Sequence, residues 1–219
     1  MTRLAVFDCD GTLADGQANI CLAMALAFAD AGLADPDPRE VRRIVGLSLP
    51  QAVAMLVPDS DAELHDAVAE GYKRHFRAMR LDGRLAEEPL FPGIANALTA
   101  LLDSGWTLGV ATGKSDRGLA LLLDHHGLTR HFTTLQTADR HPSKPHPAML
   151  YAAMAEADAL PETTVMIGDT GFDMAMAVAA GARAVGVTWG YHDRDTLMAA
   201  GAQRMCDDAT LLPQLLDLP

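Results

Sequence analysis

Two carboxylates, Asp8 and Asp10, stand two residues apart directly after the apolar run Leu4-Ala5-Val6-Phe7. A run so short and so apolar reads as a strand buried in a parallel sheet, and the carboxyl end of such a strand is where these sheets hold ligands. Anions placed there are costly unless a cation or a reaction uses them. The plainer reading of Asp8-Cys9-Asp10-Gly11-Thr12-Leu13 is an acidic turn, since Asp, Gly and Thr all favour turns. Cys9 alternates to the opposite side of the chain and is expected to be a packed core thiol.

Three further clusters follow strands. Thr112-Gly113-Lys114-Ser115 offers a hydroxyl and backbone amides, enough to hold phosphate oxygens. It imitates a P-loop, but only three residues separate Gly109 from Gly113 where that motif needs four, so an NTPase is disfavoured. Ser143-Lys144-Pro145-His146-Pro147 fixes a lysine in a proline-stiffened turn, where it could offset the carboxylates or simply precede a helix. Gly168-Asp169-Thr170-Gly171-Phe172-Asp173 adds a third strand-end carboxylate and a fourth in the opening turn of a helix, where the dipole alone would favour it. Carboxylates of this kind are suited to Mg²⁺.

The elements needed to position these clusters are legible in the apolar pattern. From Leu90 onward, turn-bounded apolar strands alternate with helical stretches, the pattern of a doubly wound parallel sheet. Strands are expected at Trp106–Ala111, Phe132–Gln136, Thr164–Ile167 and Ala184–Thr188. Helices are expected after Gly93, over Asp116–His126, His146–Ala157 and Phe172–Ala180, with a last helix, short strand and helix closing the chain. Residues 16–88 show only helical spacing, over Gln17–Gly32, Pro38–Val45, Leu49–Val57 and Asp61–Met79. The expected fold is therefore α/β: a Rossmann-like core, residues 1–15 and 89–219, with an inserted all-helical cap, residues 16–88. The insertion leaves beside Asp8 and Asp10, so it is placed to act as a lid.

Composition narrows the function. The 219 residues are 49% hydrophobic and 21% charged, as in a soluble globular protein. A net charge of −12 argues against a nucleic-acid partner. The longest apolar run, Ile20 to Ala29, is too short to span a bilayer, so no membrane association is expected. The three scattered cysteines suit a reduced, cytoplasmic setting and form no zinc spacing. The sequence leaves the oligomeric state open.

Taken in order, Asp-x-Asp-Gly-Thr-Leu, a strand-end Thr, a Lys-Pro and Gly-Asp-x-x-x-Asp resemble the haloacid dehalogenase superfamily. The segment between the first two motifs resembles the cap of its phosphoglycolate phosphatase-like branch. The likeness covers nearly the whole chain. It implies Asp8 as nucleophile, Asp10 as general acid and base, and Thr112, Gly113 and Lys144 as the grip on the phosphoryl oxygens. It further implies Mg²⁺ held by Asp8, the main-chain carbonyl of Asp10 and Asp169, with Asp173 as an orienting neighbour. Asp10 favours phosphate esters, because dehalogenases usually carry Tyr there. Mutase relatives tend to have Glu-Asp where this chain has Gly168-Asp169.

The implied enzyme is a Mg²⁺-dependent phosphatase of small phosphorylated metabolites, with 2-phosphoglycolate the leading substrate. Alternatives are a β-phosphoglucomutase-like phosphotransferase, another sugar-phosphate phosphatase, or a phosphate-binding protein without turnover. Relatives often have Asn where this chain has Gly113, which leaves substrate detail open. In the cap, Gly46-Leu47-Ser48 is a candidate substrate loop, and Arg42 or Arg43 a candidate partner for a substrate carboxylate.

Overall fold

A computed structural model of the chain describes residues 1–217. Its centre is strand β1, Thr2–Phe7, in which Leu4 to Phe7 are wholly buried. Alternation sends Ala5, Phe7 and Cys9 into one apolar cluster and Leu4 and Val6 into another, so both faces of the strand are covered. Cys9 is thus a core thiol, as its position in the alternation implies.

β1 is followed by four helices, α1 (Gln17–Asp30), α2 (Pro38–Arg43), α3 (Leu49–Leu56) and α4 (Ala62–Leu81). The alternating part then runs α5 (Ile94–Asp103), β2 (Thr107–Thr112), α6 (Asp116–His125), β3 (Thr134–Thr137), α7 (Ala148–Ala157), β4 (Ala159–Gly168), α8 (Gly171–Ala180) and β5 (Arg183–Val187). It closes with α9 (Arg194–Ala199), β6 (Arg204–Cys206) and α10 (Leu212–Asp217). All six strands are parallel, in the order β3-β2-β1-β4-β5-β6.

That order reverses direction at β1, and the crevice between β1 and β4 opens at their carboxyl ends. Register sets the level of each motif. Phe7 pairs with both Val110 and Ile167, so Asp8, Thr112 and Asp169 all emerge within about one residue of the same edge.

The helical segment packs its own core, with Ile20, Met24 and Phe28 of α1 against Val41, Val53 and Val68. Its two crossings into the sheet domain lie side by side. Asp15 N donates to the Pro89 carbonyl at 2.9 Å, and Phe91 N to the Leu13 carbonyl at 3.0 Å. Seating on the sheet domain is closed: Phe172 packs on Ile44, Leu47 and Ala52, and Ser48 N donates to Ser143 Oγ at 2.7 Å.

The largest departure from the expected elements is β4, which begins at Ala159 rather than Thr164. Its first residues pair with Thr2 across a register irregularity at the exposed end of the sheet. Leu160-Pro161-Glu162 looks like a loop in sequence because that end is not covered, so burial imposes no apolar pattern there.

Candidate active site

The first motif is a tight turn. Thr12, Leu13 and Ala14 all donate their N–H groups to the Cys9 carbonyl, at 3.3, 2.8 and 3.1 Å. The turn depends on Gly11, whose φ is +83° and whose missing side chain leaves room for Asp169: a Cβ there would lie 2.2 Å from Asp169 Oδ2. The two strand ends are thereby drawn against each other. Thr12 Oγ1 donates to Asp169 Oδ1 at 2.8 Å, and Tyr191 N donates to Oδ2 at 2.9 Å.

Asp173 is reached through the start of α8. Thr170 caps that helix, and both its N–H (3.0 Å) and its hydroxyl (2.7 Å) donate to Asp173 Oδ2. The other oxygen is thereby aimed at Lys144. The Lys144 ammonium, wholly buried, lies 2.6 Å from Asp173 Oδ1 and 2.8 Å from Asp8 Oδ1. The lysine from the turn after β3 therefore bridges the carboxylates that follow β1 and β4.

Asp8, Asp169 and Asp173 each present an oxygen within 4.8 Å of the other two. When all three buried carboxylates are ionised against one ammonium, two negative charges are uncompensated, a deficit that one divalent cation would cancel. Asp8 Oδ2 is buried with no hydrogen-bond donor, as expected of an oxygen kept for a cation or a substrate. The residues present therefore fit a hard divalent metal held by carboxylates.

The electrostatics follow from burial. Burial is the largest influence on Asp8 and pushes its carboxyl up to about 7, although Lys144 pulls it down. Asp169 is raised well above the usual range by burial and then by the charges of Asp8 and Asp173. Burial alone would lower Lys144, but Asp173 and Asp8 outweigh it and hold the ammonium charged.

Asp10 has a separate partner. Lys114 Nζ lies 2.9 Å from Asp10 Oδ1 and 3.4 Å from Glu88 Oε2, with both side chains of the Lys114–Asp10 pair nearly buried. Burial raises the Asp10 carboxyl, and the Lys114 charge opposes it. Lys114, whose position imitates a P-loop lysine, instead commits its ammonium to carboxylates. Its place in the loop after β2, beside Thr112, was the available signal. Glu88 gave none, since it sits in an irregular linker.

Thr112 ends β2, and its buried hydroxyl accepts from Lys114 N at 3.2 Å. Gly113 lies directly under the cap. Its absent Cβ would fall 2.4 Å from the Leu47 carbonyl oxygen and 2.8 Å from that of Gly46, so the loop Gly46-Leu47-Ser48 rests on it. The cap arginines expected at the substrate are elsewhere. Arg42 donates to Gln17 at 2.9 Å and Arg43 pairs with Glu40 at 2.7 Å on the surface. The short helix α2 turns both away from the cleft, a rotation that charge pattern alone does not encode.

A cavity of about 790 Å³ opens from Asp10, Gly113 and Lys114 between cap and core. Among the described residues no helix is long and apolar enough to cross a membrane.

Known proteins resemble this chain over most of its length. The family model for haloacid dehalogenase-like hydrolase matches residues 5–187. The probable phosphatase IndB of Dickeya dadantii (strain 3937) is 38% identical over 213 residues, covering 94% of this chain and 90% of that protein. A phosphoglycolate phosphatase of Agrobacterium fabrum is 30% identical over 225 residues, covering 99% and 94%. The crystal structure of a predicted phosphatase from Clostridium acetobutylicum superposes with a TM-score of 0.88 at 25% identity, covering 100% of both chains.

Proposed function

The chain belongs to the haloacid dehalogenase-like hydrolases, and from that premise we propose that it is a Mg²⁺-dependent phosphatase of small phosphomonoesters with Asp8 as its nucleophile. The observation that carries this reading is the meeting of Asp8, Asp169, Asp173 and Lys144 in one buried cluster, with Asp10 beside it on a separate lysine.

An Asp8 oxygen attacks phosphorus, and the bond from phosphorus to the leaving alcohol breaks. Asp10, its carboxyl raised by burial, gives its proton to that alcohol oxygen. Water then attacks the aspartyl phosphate; Asp10 takes the water's proton, and the products are phosphate and a regenerated Asp8. Lys144 and the Thr112 hydroxyl grip the phosphoryl oxygens, assisted by the Gly113 amide. Asp8, the Asp10 carbonyl and Asp169 would hold the metal, with Asp173 orienting its surroundings through Lys144. When bound, the cation supplies the charge that keeps the carboxylates ionised beside an anionic substrate.

Residues 16–88 serve as the cap that excludes water from this site. The leading substrate is 2-phosphoglycolate, supported by the motif order and by the Agrobacterium relative bearing that name.

The test is p-nitrophenyl phosphate hydrolysis with and without Mg²⁺. Activity should appear with the metal, vanish reversibly with EDTA, and fall by at least about 10³-fold in Asp8→Asn. Ordinary activity in Asp8→Asn would refute the nucleophile. Absence of any turnover would favour a phosphate-binding protein instead.

A further inference from the structure

The cleft between cap and core is built for more than a two-carbon acid. Its volume of about 790 Å³ lies in the range, about 300–1,000 Å³, that encloses drug-sized ligands. Asp10, the proposed proton donor to the leaving alcohol, lines it, so it receives the alcohol half of a phosphomonoester. One wall is α4, on which Tyr72, Phe76 and Arg80 recur every fourth residue with Lys73 and Arg77 beside them.

This wall has a direction. Tyr72 lines the cavity together with Asp10, Glu88 and Lys114, and the charges of these three act on its hydroxyl, so Tyr72 stands at the catalytic end. Phe76 follows with its ring centroid 5.7 Å from that of Tyr72. The Arg80 guanidinium lies over the Phe76 ring at 5.5 Å. Eight residues of helix place Arg80 about 12 Å beyond Tyr72 along the axis. Apolar side chains of Ile20 and Met24 also line the cavity.

The charges at the far end have no acidic counterpart. Among the described residues neither Arg77 nor Arg80 has a carboxylate within ion-pair distance, in a chain with twelve more acids than bases. Their neighbours Lys73, Arg74 and Arg84 are all paired, with Glu70, Asp30 and Asp82. Guanidiniums that line a cavity without a carboxylate partner suit an anionic group on its occupant.

From this we propose that the preferred substrate is a phosphomonoester whose leaving alcohol carries a flat aromatic body and, at its far end, a second anionic group. The ring lies along Tyr72 and Phe76, and the anion meets Arg77 and Arg80. The proposal rests on the phosphatase reading but displaces 2-phosphoglycolate as its substrate, because a two-carbon skeleton cannot extend along the roughly 12 Å of α4 between Tyr72 and Arg80.

The test compares four primary alkyl phosphates with leaving groups of similar basicity: ethyl phosphate, 2-phosphoglycolate, 2-(2-naphthyl)ethyl phosphate and its 6-carboxylate. Values of kcat/KM should rise from the ethyl to the naphthyl ester and again, on the order of tenfold, with the carboxylate. In the double variant Arg77→Met/Arg80→Met the ratio between the two naphthyl esters should collapse towards one, mainly through KM. The melting temperature of that variant shows that it is folded.

The proposal is overturned if 2-phosphoglycolate has the highest kcat/KM of the four, or if the ratio survives in the double variant. Turnover of p-nitrophenyl phosphate together with either result leaves the phosphatase reading standing. Failure to hydrolyse any of these esters with Mg²⁺ overturns both.

Discussion

Gly113→Ala separates the position of the cap loop from the stability of the fold. The new Cβ would sit 2.4 Å from the Leu47 carbonyl oxygen and 2.8 Å from that of Gly46, whereas real Cβ atoms essentially never approach a neighbour within 3.0 Å. The loop must therefore retreat by at least 0.6 Å (3.0 minus 2.4), and by 1.0 Å to regain an ordinary 3.4 Å contact. Gly113 has no left-handed backbone, so alanine adds no torsional strain, and the whole cost falls on the displaced cap loop. Because both atoms are backbone, the retreat carries a cost, and the stability change should be about 1–2 kcal/mol, a melting shift of roughly 2–8 °C for a domain of this size. The catalytic cost is larger, because a misplacement of about 1 Å near the reacting atoms can lower the rate on the order of 10²-fold. Steady-state kinetics with an alkyl phosphate, beside a thermal melt, measure both. A fall of less than about threefold in kcat/KM would show that the loop need not rest on Gly113 for turnover. A large loss of melting temperature would show instead that the cap cannot give way.

Other perturbations probe the buried charges. Lys144→Met leaves the Asp8 and Asp173 carboxylates buried without their shared ammonium, so stability should fall by about 3–5 kcal/mol and the melting temperature by roughly 6–20 °C; an unchanged melt would contradict the bridge. The Asp8 carboxyl is raised from 3.8 to about 7, so the metal-free fold loses stability as pH rises through that window, while a divalent cation competes with the proton. The increase in melting temperature on adding MgCl₂ should therefore grow with pH up to and past about 7, and a pH-independent increase would remove the cation from this cluster. Lys114→Met removes the partner that holds Asp10 and should slow alkyl phosphates on the order of 10²-fold more than p-nitrophenyl phosphate, whose leaving group needs little acid help. Equal losses on both would assign Lys114 to phosphate binding.

Much of this protein is written locally. The run Leu4 to Phe7 is apolar on both faces because the strand is covered on both, so its placement in a parallel sheet can be read without coordinates. Asp8, Thr112 and Asp169 each close such a run, and strands of a parallel sheet end at one edge, so their convergence follows from chain order. The helical spacing of residues 17–79 likewise marks α1 to α4 as helices before any contact is known. Pairings between distant side chains are not written this way. That Lys144 serves Asp8 and Asp173 while Lys114 serves Asp10 depends on which strand neighbours which, and on the reach of each loop above the sheet. Arg42 and Arg77 are equivalent in composition, yet the rotation of α2 and α4 sends one to Gln17 and the other to the cavity. Periodicity fixes which face of an element is buried, because water is the common partner everywhere; the choice of a particular counter-ion or cavity wall is made only when the elements pack, at distances no local pattern carries.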